Sequence, residues 1–261
     1  MIDVRNGDGV QTWAMGLAPV NAIGPEFLAA VDAALTDAVA DESVSVIVLT
    51  SDLKVFSAGA DAAWMAGVVA EVGADGLLEQ FNRTMDSFRE LCAAMRRSPL
   101  LIVAAINGHA LAGGLELAAA CDLRFAARAE RLQIGAPEMD LFGAMPSGGG
   151  GAQYLARLMG PSQALRFILD AKPVGPEEAL RLGLVDGLHE PDALLESVEQ
   201  FAADVARKAG RVGVAAAKRA ILGGVELPLY EALELDRSLH WDSMRRGNFK
   251  AGVNAFVERF G

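Results

Sequence analysis

Residues 101–127 read LIVAAINGHALAGGLELAAACDLRFAA, and the pattern changes several times within this short stretch. The apolar run over residues 99–106 is typical of a strand that is covered on both faces. A turn signal follows at Asn107-Gly108, then a helix-forming segment over residues 113–121 and a short strand over residues 123–126. A strand, a glycine-bearing loop, a helix and a further strand in this order predict an α/β fold.

The N-terminal side of this stretch has the same rhythm. Asn6-Gly7-Asp8-Gly9 lies between apolar stretches and predicts a short hairpin. A helical pattern begins at Gly24-Pro25, and the alternating residues 43–50 are typical of a strand. Residues 62–97 are mostly helical in pattern, and three glycines loosen the first part of that segment: Gly67, Gly73 and Gly76.

The C-terminal side becomes progressively helical. A short strand is predicted over residues 132–135, and the glycine-rich residues 146–151 precede another helix. One further strand is predicted at Leu184-Val185-Asp186, followed by long helices after Pro191. We therefore expect two regions: an α/β core with the active site over residues 1–190, and a helical C-terminal region over residues 191–261.

Composition and charge limit the function. The 261 residues are 52% hydrophobic and carry a net charge of −11, which makes nucleic acid and anionic membrane surfaces unfavourable partners. Cys92 and Cys121 are interpreted as buried thiols in a reducing compartment, because two cysteines this far apart form neither a CxxC motif nor a disulfide framework. Without a signal-like N-terminus or an apolar run of ~20 residues, a cytoplasmic protein is expected.

Two segments have the same physical form, since in residues 46–61 and residues 101–114 an apolar strand enters a glycine-bearing loop. Backbone N–H groups in such loops can point together at a developing negative charge. If the N–H groups of Ala60 and Gly113 converge, they form an oxyanion hole. The alternative is that both loops are only tight turns.

Two glutamates strengthen the functional interpretation. Glu116 follows Gly113 by three residues, so a helix beginning at Gly113 keeps this carboxylate near the same helix end. No basic residue lies near it in sequence, and an unpaired buried carboxylate is costly. Glu138 adjoins a second apolar strand, although alone it could be an ordinary helix-start acid. Two carboxylates beside an oxyanion hole suit the addition or removal of water across an α,β double bond.

Four motifs in order carry a family resemblance that covers nearly the whole chain, including the helical tail: FSAGAD at 56–61, INGHALAGGLELAAACDLRFAA at 106–127, GAPE at 135–138 and PSGGGGAQYLARLMG at 146–160. They resemble the enoyl-CoA hydratase/isomerase family, the crotonase superfamily. The resemblance implies a spiral of repeated ββα units, a C-terminal helical region used in trimer formation, and binding of an acyl-CoA thioester.

The resemblance also implies roles for individual residues. Ala60 and Gly113 match the oxyanion-hole positions, and Glu116 and Glu138 match the two acid/base positions. The remaining predicted contacts to the substrate are Ser57, Ala58, Asp61 and Trp64. The usual triple glycine of the family is replaced here by Ala112-Gly113-Gly114, and the connection from Asp122 to Glu138 is longer than usual.

Neither a metal nor a separate cofactor is expected, because coenzyme A is part of the substrate. His109, His189 and His240 lack metal-ligand spacing. Ser147 lacks the GxSxG context of a hydrolase nucleophile, so the glycines around it are interpreted as letting a helix N-terminus approach the active site. Lys54 could meet the CoA phosphates or be an ordinary surface lysine. The apolar residues around the predicted site could line an acyl pocket or be plain core: Trp64, Met65, Met139, Leu141 and Phe142.

The leading hypothesis is an enoyl-CoA hydratase, a lyase of fatty acid or related acyl-CoA metabolism, acting as a homotrimer or a dimer of trimers. Both glutamates favour hydration over a simple shift of the double bond. A Δ3-Δ2 enoyl-CoA isomerase, or another acyl-CoA lyase or hydrolase on the same fold, is the first alternative. The alternative from another class is a non-catalytic CoA-binding scaffold.

Overall fold

The computed structural model describes residues 1–146, 148–247 and 249–260. Ser147, which the sequence places in the glycine-rich loop, lies outside the described residues. Nine strands have the bounds β1 Ile2–Gly7, β2 Val10–Met15, β3 Val46–Ser51, β4 Val55–Ser57, β5 Leu101–Ile106, β6 His109–Leu111, β7 Leu123–Ala127, β8 Ile134–Gly135 and β9 Gly187–His189 in the described part of the chain.

The helices of the described residues follow in chain order. The first five are α1 Pro25–Ala40, α2 Ala62–Arg97, α3 Gly113–Ala120, α4 Glu138–Phe142 and α5 Gly151–Met159. The next five are α6 Pro161–Asp170, α7 Pro176–Leu182, α8 Leu194–Lys218, α9 Leu229–Arg246 and α10 Phe249–Phe260. A π-helical turn, Arg219–Gly223, continues α8.

Two sheets form the framework. The larger has the strand order β1-β2-β3-β5-β7-β9, with β1 and β2 antiparallel and the other neighbours parallel. The smaller is parallel and has the order β4-β6-β8. The chain therefore places one strand in the large sheet, the next in the small sheet and then a helix, three times in succession. This repeat is the ββα spiral that the family resemblance implies, and the α/β fold prediction is confirmed.

Local sequence signals explain several element boundaries. The predicted hairpin forms with Gly9 at φ 76°, a backbone conformation that suits glycine. Helix α1 begins at Pro25, where the missing N–H costs nothing, and it buries Leu28, Val31 and Leu35. Helix α2 has a non-helical residue at Gly73, inside the segment that the glycines were expected to loosen.

The prediction of a strand at Leu184-Val185-Asp186 is wrong, because the strand in this region, β9, begins only at Gly187. Leu184 and Val185 are buried in the connection from α7 rather than paired in the sheet. The Asp186 carboxylate accepts hydrogen bonds from the backbone N–H and the guanidinium of Arg124. The apolar run thus reflects burial of a connection, and the ladder to β7 starts only beyond it.

The helices after residue 193 do two different things. Helix α8 packs on strands of the large sheet and buries Leu194, Val198 and Ala202. Helices α9 and α10 instead leave large apolar side chains exposed, among them Leu229, Tyr230, Leu233, Trp241, Phe256 and Val257. The domain boundary at residue 190 stays a prediction. Among the described helices, none combines the length and the apolar character needed to cross a membrane.

Candidate active site

The loop after β4 lies against the start of α3. Gly59 has φ 90°, and a Cβ atom there would lie 3.1 Å from the Gly113 nitrogen. Ile23 holds this loop, because its N–H donates to Gly59 O and its carbonyl accepts from Asp61 N–H. This pairing skips the N–H of Ala60. The close approach of Gly59 to Gly113 brings the two strand-to-loop segments together, and convergence of the two N–H groups stays a prediction.

Helix α3 begins at Gly113, where the first N–H groups have no partner within the helix. Neither Gly113 N–H nor Ala60 N–H donates to another group within residues 1–146, 148–247 and 249–260. Ala112, the residue before the helix, has φ 52°, a strained conformation for a residue with a Cβ atom. Two uncommitted donors and local backbone strain at a helix N-terminus suit the binding of a negatively charged oxygen.

Glu116 lies on the first turns of α3 and is only 4% exposed. Its Oε1 accepts a hydrogen bond of 2.7 Å from the N–H of Gly151, the first residue of α5. Burial raises the pKa of Glu116, while the N–H groups of Gly151, Gly149 and Gly150 oppose that rise. The predicted approach of a helix N-terminus is confirmed for α5, and it stabilises a buried carboxylate.

Glu138 is the first residue of α4 and follows β8 closely. It is half-buried, and its Oε2 atom is buried without a hydrogen-bond partner among the described residues. Burial raises its pKa to about 7, its own backbone N–H opposes this, and the charge of Glu116 adds to the rise. The two glutamates are therefore electrostatically coupled, and one of them can hold a proton at neutral pH.

Glu138→Gln is expected to change how stability depends on pH. The folded-state pKa of about 7 lies above the ordinary 4.5, so the folded protein binds this proton more tightly than the unfolded chain does. The resulting stabilisation is complete below the unfolded value and is lost as the pH rises through the folded value. Relative to the variant, the wild type should lose about 1–2 kcal/mol of unfolding free energy across that window, with screening by solvent allowed for.

Urea unfolding of both proteins at several pH values measures this difference. Parallel pH profiles of the unfolding free energy would contradict the raised pKa of Glu138.

The other predicted site residues have mixed surroundings. Ser57 is fully buried, and its hydroxyl donates to Asn21 O and accepts from Gly59 N–H. Ala58 is exposed, and Trp64 is half-buried in the first turn of α2. Asp61 caps that helix by accepting from Trp64 N–H. Ser57 and Asp61 thus hold the loop in shape, and direct contact of these four residues with a substrate stays a prediction.

The apolar residues near Glu138 are not all core. Leu141 and Phe142 on α4 are 63% and 67% exposed, so burial in the core does not explain them. Met65 and Met139 are half-buried, and Lys54 is exposed.

Cys92 and Cys121 are buried free thiols, as predicted. Within the described ranges, no group of three or more His, Cys, Asp and Glu side chains could hold a metal ion.

Asn21 is a supporting residue that sequence reasoning missed. It is fully buried at φ 49°, and its side-chain amide donates to Ser51 Oγ and to Phe56 O. Its own carbonyl accepts from Ser57. Asn21 therefore ties the end of β3 to β4 directly before the loop that carries Ala60. The one available signal was that asparagine tolerates a positive φ. That signal identifies a supporting residue only when the backbone conformation is known.

Comparisons with known proteins point to one family. A family model described as enoyl-CoA hydratase/isomerase matches residues 13–261. The chain is 34% identical over 241 residues to a crotonyl-CoA hydratase of Syntrophomonas wolfei, an alignment covering 92% of this chain and 88% of that protein. It is 36% identical over 240 residues to a probable enoyl-CoA hydratase of Rhizobium meliloti, with the same coverage of 92% and 88%.

A solved structure supports the same relationship. The enoyl-CoA hydratase of Bacillus anthracis superposes with a TM-score of 0.88 at 28% identity, and the match covers 99% of this chain and 96% of that one.

Proposed function

The chain belongs to the enoyl-CoA hydratase/isomerase family, and we propose that it is a hydratase that adds water across the 2,3 double bond of a trans-2-enoyl-CoA thioester. The observation that carries the proposal is the pair of coupled glutamates, Glu116 and Glu138, with different surroundings. Hydration needs a base for water and an acid for the α-carbon at the same time. Two carboxylates with different proton affinities can supply both.

In the proposed reaction, the carboxylate of Glu116 takes a proton from water as the water oxygen bonds to the β-carbon of the substrate. The electrons of the double bond move toward the thioester carbonyl, which becomes an enolate oxygen. Glu138 in its protonated form then gives its proton to the α-carbon. The product is a 3-hydroxyacyl-CoA, and proton exchange with solvent restores both glutamates. Glu138 suits the acid role because its pKa of about 7 keeps it partly protonated at neutral pH.

The enolate oxygen would be bound by the N–H groups of Ala60 and Gly113. Both groups lack a partner in the described part of the chain, so accepting the oxygen breaks no existing hydrogen bond. A donor aimed at such an oxygen contributes on the order of 3 kcal/mol to the transition state. The N-terminus of α3 adds favourable electrostatic potential at the same point.

The direct test uses crotonyl-CoA and a longer 2-enoyl-CoA as substrates. Hydration should remove the absorbance band of the enoyl thioester and give a product heavier by one water. A product of unchanged mass from a 3-enoyl-CoA, with no turnover of 2-enoyl-CoA, would instead identify an isomerase. Acyl-CoA binding without turnover of any enoyl or hydroxyacyl thioester would favour the non-catalytic scaffold.

Gly114→Ala tests whether the approach of the two loops matters. A Cβ atom on Gly114 would lie 2.2 Å from the backbone oxygen of Ser57, so β4 and the start of α3 must move apart. A displacement of about 1 Å at the reacting groups can cost about 10²-fold in rate. We therefore expect kcat/KM for crotonyl-CoA to fall by about that factor.

Gly175→Ala is the matched control, because nothing lies within 4 Å of a Cβ atom there. It should leave the activity unchanged. Circular dichroism checks that both variants fold, and a Gly114→Ala variant with full activity would contradict the proposed oxyanion hole.

We also propose that the protein acts in the cytoplasm as a homotrimer or a dimer of trimers. The exposed apolar side chains of α9 and α10, such as Leu229, Tyr230 and Phe256, support self-association. Light scattering that gives the mass of a monomer would contradict the assembly.

A further inference from the structure

One cavity of the structure is lined by residues other than those of the proposed active site. It has a volume of about 780 Å³ and is bounded by the end of α2, one face of α5 and the end of α8. Ala60, Gly113, Glu116 and Glu138 do not line it. The cations of its described lining are Arg96, Arg97, Arg157, Lys218 and Arg219, beside the single carboxylate of Glu226. This concentration of positive charge is unexpected in a chain whose net charge is −11.

Two of the five cations already have partners. The Lys218 ammonium lies 2.8 Å from the Asp122 carboxylate, and both side chains are buried. The Arg157 guanidinium binds both carboxylate oxygens of Glu226, at 2.9 and 3.1 Å. In each pair the two charges neutralise one another. The positive charge of the cavity therefore comes from the other three guanidinium groups.

Arg96, Arg97 and Arg219 form no ion pair with an acidic side chain in the part of the chain that the structure describes. Arg96 stacks 5.1 Å from the centre of the Tyr154 ring, which holds its guanidinium in place at the cavity. Burial raises the pKa of Asp122 against the opposing charges of Lys218 and Arg96, and the hydrogen bond from Arg157 lowers the pKa of Glu226, to which Arg96 adds. The two carboxylates on which Arg96 acts are thus already paired with Lys218 and Arg157. Three like charges around one cavity repel one another, and a bound anion would reduce that repulsion.

We propose that this cavity binds a small molecule that carries two or more phosphate groups. Guanidinium groups match the oxygens of phosphate with paired hydrogen bonds. The unpaired cations come from two separate segments, the end of α2 and the turn after α8, so a ligand with more than one charged group can reach both. The volume is in the range of pockets that hold small molecules. This inference does not depend on the proposed hydratase activity.

Calorimetric titration of the whole protein with inorganic pyrophosphate tests the proposal, with ionic strength held constant. Pyrophosphate should bind more tightly than inorganic phosphate. Replacing Arg96 and Arg219 together by Gln should weaken pyrophosphate binding by about tenfold or more, because two charge-assisted contacts are lost. The control replaces two exposed lysines outside the cavity, Lys172 and Lys208, by Gln, which changes the net charge equally and should leave binding unaltered.

Glu226→Gln should change pyrophosphate binding in the opposite direction to the arginine substitutions. The substitution removes the one described carboxylate of the lining and frees Arg157, so pyrophosphate should bind severalfold more tightly. A purely structural role of the arginines predicts no such gain. Equal binding by the wild type and the Arg96/Arg219 variant would overturn the proposal, as would weaker binding by Glu226→Gln. Binding of citrate without binding of pyrophosphate would reject phosphate as the ligand chemistry.

Discussion

Glu116→Gln and Glu138→Gln are each expected to lower kcat with crotonyl-CoA by about 10²-fold or more, the usual contribution of a positioned acid or base. The amide of a glutamine at position 116 can still accept the hydrogen bond from Gly151 N–H, so the contact between α3 and α5 is kept. What is lost is the ability to take a proton from water. At position 138, glutamine cannot deliver a proton to the α-carbon.

The matched control is Glu130→Gln, since Glu130 is an exposed carboxylate in the turn between β7 and β8. Its kcat should equal that of the wild type. Thermal unfolding shows whether the two active-site variants remain folded. If both kept the wild-type rate, the two-glutamate mechanism would be wrong.

Lys218→Met is expected to lower the free energy of unfolding by about 3–5 kcal/mol, because it leaves the buried carboxylate of Asp122 without its counter-charge. The ammonium of Lys218 also donates to the carbonyl oxygens of Met95 and Leu100. The Asp122 carboxylate in turn accepts from Ile102 N–H at the start of β5. The pair therefore joins the end of α8 to the centre of the large sheet.

A second substitution separates the lost charge pair from lost packing. In the double variant Lys218→Met with Asp122→Asn, no uncompensated charge is buried, so a large part of the stability should return. Arg237→Met is the surface control, because the exposed pair of Arg237 and Glu234 should contribute less than about 1 kcal/mol. Urea unfolding at one fixed protein concentration gives the free energy of unfolding of the wild type, Lys218→Met, the double variant and Arg237→Met. A double variant no more stable than Lys218→Met alone would contradict the electrostatic explanation.

Long elements were predictable because their signals are local. The hairpin at Gly7, the start of α1 at Pro25, the buried strand β5 and helix α3 all lie within a few residues of the expected positions. Apolar periodicity, proline and glycine act over one or two turns of chain, so the sequence carries them without reference to distant residues. The motifs around Gly113 also identified the family.

Short elements were not predictable in the same way. Strands β4 and β6 have three residues each, and the sequence interpretation treated both stretches as loop. A three-residue strand has no measurable periodicity and exists because a neighbouring strand supplies its hydrogen bonds. The same holds for β9, because the apolar residues Leu184 and Val185 predict a strand just before the one that forms. Pairing between distant segments decides such strands.

The amino-acid sequence by itself determined the fold class, the family and the identity of the two candidate glutamates. Only the tertiary structure decided their electrostatic state. Glu116 is held by the N–H of Gly151, 35 residues further along the chain, and the pKa of Glu138 depends on burial and on the charge of Glu116. The arginine-rich cavity likewise draws its cations from segments far apart in sequence, where no basic block is visible. Burial and Coulomb interactions depend on distances in space, and those distances are set by the packing of the elements.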